Sequence, residues 1–184
     1  MLTAQYRMAQ RIQAFSSEEF YDGRLRPATG AVAAQAPDAL FDADAAVDPT
    51  LTRRVRVVDP DGTQSGNRNL IEAEAVAALV EQYRAVGVAP DAIGVIAPYR
   101  AQVEEIAGRT DVTVDTVDRF QGSAREIIII SLTATGDLTE PLFADHRRMN
   151  VALTRARRAL VIVGSTETMR QDPFYERMLR WAAH

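Results

Sequence analysis

Residues 126–132 read EIIIISL, four consecutive isoleucines with no polar residue between them. A strand with one wet face alternates apolar and polar side chains, whereas an unbroken apolar run marks a strand covered on both faces, as in a parallel sheet flanked by helices. ALVIVGS, residues 159–165, has the same character. Upstream of these two runs, strand and helix patterns alternate. RVRVVD (54–59) reads as a strand, and IEAEAVAALVEQYRAVG (71–87) as a helix with Val76, Leu79, Val80 and Tyr83 on one face and glycine at its end. AIGVIAP is a strand ending at Pro98, YRAQVEEIA a helix, and DVTVDTVD (111–118) an alternating strand. This order predicts a single α/β domain over residues 1–184, its mostly parallel sheet flanked by helices and built with right-handed crossovers.

The N-terminal third is less regular. Met8, Ile12 and Phe15 recur at helical spacing, and Ser16 opens SSEE, a capping-box pattern that predicts a short second helix stopped by Asp22-Gly23. Residues 28–50, rich in Ala, Pro and Asp, read as a loop or a partly ordered insertion. Ligands of open parallel sheets gather at the carboxyl ends of the strands. Pro98-Tyr99, the DTVDRFQG segment, Thr133 and Gly164-Ser165 are therefore expected along one edge.

The chain has 184 residues, no cysteine and a net charge of -4. It is long enough to bury its own core, and it has no thiolate for a zinc site, a redox pair or a nucleophile. It reads as soluble and cytoplasmic, with no membrane partner. All 21 basic residues are arginines. Without lysine there is no GxxxxGK[ST] phosphate loop, so a complete nucleotide site of that type is excluded from this chain.

RRMNVALTRARRALVIVGS, residues 147–165, holds Arg147, Arg148, Arg155, Arg157 and Arg158. On a helix from about Asp145 to Arg157, Met149, Ala152, Leu153 and Ala156 form the apolar stripe, and Arg148 and Arg155 run along its border. Arginines in a last helical turn complement the helix dipole, which accounts for Arg157 and Arg158. Arg155, at the border of the packed face, calls for an anion. At the other end of the chain, Tyr6-Arg7 precedes the first helix, where a cation is unfavourable unless a phosphate binds beside it. Arg7 as a plain exposed residue, and Tyr6 as a core ring, remain open on spacing alone. TVDRFQG (116–122) supplies a hydroxyl, a carboxylate, a carboxamide and a glycine to a loop suited to phosphate or sugar oxygens, or to a turn that satisfies its own backbone.

QYRM, IAPYRAQVEEI, VDTVDRFQG and RRMNVALTRARRALVIVG, in this order from residue 5 to 164, resemble the second RecA-like motor domain of superfamily 1 helicases. The resemblance is closest to the branch of the nonsense-mediated decay helicase and its relatives among DNA replication and repair helicases. NLIEAEAVAALV (69–80) looks like that family's Asn-x-x-Glu-Ala helix. The resemblance implies Arg155 as an arginine finger, Arg7 as its partner on the γ-phosphate, and Tyr6 beside the adenine. Gln121 and Gly122 would line the nucleotide. Pro98, Tyr99, Thr116 and Asn150 would lie on the single-strand-binding edge. It implies ATP with Mg2+ as cofactor, the metal being held by an N-terminal motor domain of the same protein that is absent here. Single-stranded DNA or RNA is the implied partner, and the isolated domain is expected to be an inactive monomer. Two positions depart from the family pattern: Ala9-Gln10 stand where His-Pro is usual, and Ala124 stands where a ribose-binding glutamate is common. The second departure keeps open a catalytically degenerate nucleic-acid-binding or regulatory module of the same fold.

Overall fold

The computed structural model describes residues 3–120, 123–139 and 141–184. Its first elements are β1 (Ala4–Gln5), α1 (Gln10–Phe20), β2 (Arg26–Pro27) and α2 (Gly30–Ala34). These lead to β3 (Val55–Val58), α3 (Leu70–Ala85), β4 (Ile93–Ile96), α4 (Arg100–Ala107) and β5 (Thr113–Asp115). After them come β6 (Arg125–Ser131), α5 (Pro141–Ala144), α6 (His146–Leu153), β7 (Ala156–Val163), α7 (Thr166–Met169) and α8 (Pro173–Ala183). Five strands form one parallel sheet in the order β3-β7-β6-β4-β5, while β1 and β2 make a small parallel ladder of their own.

The two apolar runs occupy the middle of the sheet, in register from Ile127 opposite Ala159 to Ser131 opposite Val163. Their side chains alternate between two cores. Ile128, Ile130, Leu160 and Ile162 meet Ile12 of α1, Met149 of α6 and Phe174 of α8. Ile127, Ile129, Val161 and Val163 meet Val76 and Val80 of α3 and Ile106 of α4. Each aliphatic side chain buried in this way contributes about 1.5–3 kcal/mol, which holds both helical layers to the strands. Among the described residues no helix is long and apolar enough to cross a membrane.

The segment after β5 returns to the start of β6 across the face of β4. Phe120 packs so closely over Gly94 that a Cβ there would lie 2.5 Å from its Cζ and 2.9 Å from Arg125 Cγ. Only glycine fits at this crossing.

Four local expectations are corrected. Residues 10–20 form one helix, because Ser16 and Ser17 are buried within it and Ser17 Oγ donates to Leu25 O at 3.0 Å instead of capping a new helix. Residues 28–50 contain α2 and a 3-10 turn over Pro37–Leu40, and a second such turn begins at Pro49. Leu40, Phe41, Ala45 and Val47 pack against the α3 side of the core, giving this segment apolar anchors that its composition disguised. β5 covers Thr113–Asp115 only. Finally, α6 ends at Leu153, so Arg155 follows the helix, and Arg157 and Arg158 belong to β7.

Candidate functional site

The turn between α6 and β7 is tight. Thr154 N donates to Asn150 O at 3.0 Å and Arg155 N to Ala152 O at 3.1 Å, after which Ala156 enters the sheet. Arg155 therefore sits at the amino edge of the sheet, where Arg125 N also donates to its carbonyl at 3.0 Å. Its Nε is held by Val151 O at 3.1 Å. Arg7 arrives from 147 residues away to donate from Nη1 to Thr154 O at 3.1 Å. Burial, followed by the charge of Arg7, pulls the Arg155 guanidinium below its ordinary pKa. Two like charges have been brought together and oriented by carbonyls, and among the described residues neither is ion-paired to a carboxylate.

Their neighbours are different. Arg157 Nη1 and Arg158 Nε both reach Glu126, at 3.2 and 2.6 Å, and Arg148 lies 3.5 Å from Asp118. These arginines are neutralised in place, which corrects the expectation that Arg157 and Arg158 cap a helix. Arg155 is distinguished from them by lacking such a partner among the described residues.

The approach to Arg7 is fixed by Gln5, a residue whose role the sequence pattern does not reveal. Its buried Oε1 accepts from both Arg7 N and Met8 N at 2.7 Å, and its Nε2 donates to Met8 O at 2.8 Å. This closes the turn before α1 in place of a side-chain cap, since Ala9 has none to offer. Tyr6, 77% exposed, stands on the outside of that turn. With Arg7, Thr154 and Arg157 it lines an open cleft of about 540 Å³. Gln121 and Gly122 lie outside the described residues.

The remaining candidates divide. Pro98 and Thr116, both half-buried, follow β4 and β5 at the carboxyl edge, at the far end of the sheet from Arg155. Tyr99 shares that edge but is only 8% exposed, its ring enclosed at the start of α4. Asn150 lies one turn before Arg155 on α6, and its Oδ1 is buried without a hydrogen-bond partner among the described residues. The expectation of a single ligand edge thus resolves into two: Tyr6, Arg7 and Arg155 at the amino edge, and three of the four strand candidates at the carboxyl edge.

A polar network lies under the carboxyl edge. Glu72 of α3 is fully buried, and its Oε1 accepts from Ser131 Oγ at 2.5 Å and from Thr133 N at 2.6 Å. Asn69 caps α3 by accepting from Glu72 N, and its own backbone exchanges hydrogen bonds with the Gln102 carboxamide. Thr133 is held in the left-handed region at φ 67°, a conformation unfavourable for a β-branched residue and stabilised here by these contacts. Burial pushes the Glu72 carboxyl up to about 7, against the opposing pull of its hydrogen bonds from Ser131 and Thr133.

A family model described as an AAA domain, AAA_12, matches residues 1–167. The chain belongs to this AAA domain family. An uncharacterized ATP-dependent helicase of Methanocaldococcus jannaschii is 30% identical to it over 196 residues, covering 99% of the chain and 29% of that protein. DNA polymerase alpha-associated DNA helicase A of Saccharomyces cerevisiae is 34% identical over 191 residues, covering 92% of the chain and 28% of that protein. The DNA replication ATP-dependent helicase/nuclease of Xenopus laevis is 30% identical over 211 residues, covering 97% and 20% respectively. The AAA domain described here therefore spans less than a third of each of these relatives. Among solved structures, the C-terminal domain of a possible DNA helicase from Lactobacillus plantarum superposes with a TM-score of 0.52 at 13% identity, covering 94% of this chain and 93% of that one. That likeness concerns the fold, an α/β parallel sheet of RecA-like type.

Two residues of this AAA domain were not recognised as important from sequence. Gln5 carries a signal only as the first letter of QYR. Glu72 sits in the Asn-x-x-Glu-Ala helix, where the spacing of Asn69 and Glu72 marks a helix start but not a carboxylate buried beneath a sheet edge.

Proposed function

We propose that this AAA domain is the C-terminal motor domain of an ATP-dependent superfamily 1 helicase or translocase, working with an N-terminal motor domain of the same protein. What carries the reading is the Arg7–Arg155 pair, two guanidinium groups oriented by Thr154 O and Val151 O and neutralised by no carboxylate among the described residues. Holding like charges together is unfavourable in the protein alone and becomes favourable when a polyanion binds between domains. Planar guanidinium forks stay ionised and bond two oxygens each, which suits the equatorial oxygens of a transferring phosphoryl group. ATP supplies the phosphoanhydride whose hydrolysis drives movement, and Mg2+ is assigned to carboxylates of the N-terminal domain. Arg155 acts as the finger, Arg7 supports it on the terminal phosphate, and Tyr6 offers an exposed ring to the base. Gln121 and Gly122 complete the nucleotide wall in this reading.

At the opposite edge, Pro98, Thr116 and the Tyr99 backbone are assigned to single-stranded DNA or RNA, with Asn150 contacting either the strand or the neighbouring domain. A grip built from backbone contacts and apolar surface is largely independent of base sequence. The relatives' names, all helicases, and the shared family support the same assignment.

The test is nucleic-acid-stimulated ATP hydrolysis by this domain joined to its upstream sequence, wild type beside Arg155→Ala. Stimulated turnover that falls at least a thousandfold in the variant is expected, in line with the roughly 10³–10⁵ contributed by an arginine finger. Equal turnover in the two proteins refutes the assignment. A second reading, a degenerate binding module, has one observation in its favour: Ala124 offers no carboxylate to a ribose, and Glu126 is occupied by Arg157 and Arg158. Folded, joined protein that binds single strands without hydrolysing ATP is the outcome that selects it.

A further inference from the structure

A second group of arginines converges away from Arg7 and Arg155. Arg11 on α1 and Arg53 and Arg54 just before β3 line a polar cleft of about 340 Å³ between the start of the edge strand and the end of α8. Among the described residues no Asp or Glu side chain lines it, and His184, the last residue of the sequence, completes its wall without an ion pair to any of the three arginines. Among the described residues, none of the three guanidinium groups has an ion pair.

Two of the three are nonetheless fixed in place. Arg11 lies over the Trp181 ring, 4.7 Å from its centroid, and donates from Nη2 to Trp181 O. Burial lowers its pKa from the ordinary arginine value. Arg54 donates from Nε to Gln35 O at 2.6 Å and from Nη2 to Ala34 O at 2.9 Å. Arg53 is exposed between them. A structural role accounts for part of this: Arg11 complements the carbonyl end of α8, and Arg54 ties down the segment after α2. It does not account for three cations around one cleft on a chain whose net charge is -4. Carbonyl acceptors orient a guanidinium without cancelling its charge, so the cleft is preorganised for an anion that no acidic side chain of its lining provides. Several forked donors around one small volume match a phosphate, with its three or more acceptor oxygens, better than a single carboxylate, which one arginine satisfies.

We propose that this cleft, formed by Arg11, Arg53 and Arg54 at the amino end of the edge strand, is a phosphate-binding site separate from the Arg7–Arg155 pair. Its ligand is either a free pyrophosphate-type anion or a phosphodiester of a nucleic-acid strand, the same chemistry from two sources. The inference does not depend on the motor reading, because neither Arg7 nor Arg155 takes part in it.

The protein carries its own reporter. Trp181 is the single tryptophan of the chain and lies beneath Arg11, so its fluorescence reads occupancy of the cleft. The experiment titrates the full chain with pyrophosphate, and separately with a labelled oligothymidylate, comparing wild type, Arg53→Glu and the double variant R53Q/R54Q. Arg53→Glu keeps the test valid if loss of the Arg54 hydrogen bonds impairs folding, because Arg53 is exposed and among the described residues its side chain has no ion pair. Arg155→Ala serves as the control for the other site. Saturable change in Trp181 emission with pyrophosphate is expected, weakened at least tenfold in both cleft variants and unaltered in Arg155→Ala. If the slope of the oligomer's log affinity against log salt also flattens by about 0.7 for each phosphate that the variant no longer neutralises, the source is a nucleic-acid strand. Weakening confined to pyrophosphate assigns the site to a free anion. Unchanged affinity of both ligands in Arg53→Glu overturns the proposal, as does a cleft that responds to an oligoglutamate peptide and not to pyrophosphate.

Discussion

Replacing Glu72 with glutamine should change how stability depends on pH. In the native protein the carboxyl is fully buried, and desolvation raises its pKa from 4.5 to about 7 despite hydrogen bonds from Ser131 and Thr133. The native state therefore holds the Glu72 proton more tightly than the unfolded chain does. Stability from this group is complete below pH 4.5, is lost as pH rises from there to about 7, and is level above that. At about 1.4 kcal/mol per pH unit, the interval corresponds to roughly 3 kcal/mol lost between the two plateaus. Glutamine keeps an oxygen for Ser131 Oγ and Thr133 N and does not ionise. Its amide meets Asn69 Nδ2, which costs stability equally at every pH and so drops out of the slope. The assay is urea unfolding of both proteins from pH 4.5 to 8, taking the difference at each pH so that carboxylates common to both cancel. That difference should move in favour of Glu72→Gln by about 3 kcal/mol across the range. A difference that stays flat would show that the buried carboxyl does not titrate there, and would refute the account of the network beneath the carboxyl edge.

Other expectations concern both edges. In the protein joined to its upstream domain, Arg158→Ala should leave ATP turnover within about tenfold of wild type while Arg155→Ala abolishes most of it, because a finger is worth roughly 10³ or more; similar losses from the two would contradict the choice of finger. Gly94→Val should destabilise by about 1–3 kcal/mol through collision with Phe120, read as a lower urea midpoint, whereas Gly30→Ala, with nothing within 4 Å of the added Cβ, should not. Gln5→Ala strips the acceptor from two backbone N–H groups and should cost about 1–3 kcal/mol, with turnover of the joined protein falling as Arg7 loses its fixed approach. Binding of single strands by the isolated chain should be feeble and collapse with added salt, since half a groove meets few phosphates; tight, salt-independent binding would exclude the divided groove.

The central sheet was legible because its signal is local. Unbroken apolar runs such as EIIIISL leave few alternatives, and the helix of residues 70–85 carries its own cap and period. The N-terminal third was harder for a physical reason. Ser16 and Ser17 look like a helix start, yet tertiary contacts bury them, and for Ser17 a hydrogen bond to Leu25 O replaces the solvent or cap it would otherwise need. The segment 28–50 has so few large apolar residues that its packing depends on Leu40 and Phe41 finding α3, which no local pattern reveals. At the candidate site, the nearness of Arg155 to Arg7 followed from a resemblance and not from spacing. The placement of Arg155 on a helix border was wrong because α6 is shorter than its apolar stripe, which continues through Ala156 into the sheet.

The structure suggests a physical criterion that the bare arginine count conceals. Arg148, Arg157, Arg158 and Arg177 are held by carboxylates, which orient and neutralise them together. Arg7, Arg11, Arg54 and Arg155 are held by backbone carbonyls, which orient them and leave the charge in place. A guanidinium of the first kind gains little from an incoming anion, because it would have to release a partner first. One of the second kind has already lost its side-chain freedom on folding and keeps its electrostatic attraction in full, so a phosphate meets it at less entropic cost. On this criterion, a chain that is acidic overall can still offer two separate anion sites, one at the turn before β7 and one beside the edge strand.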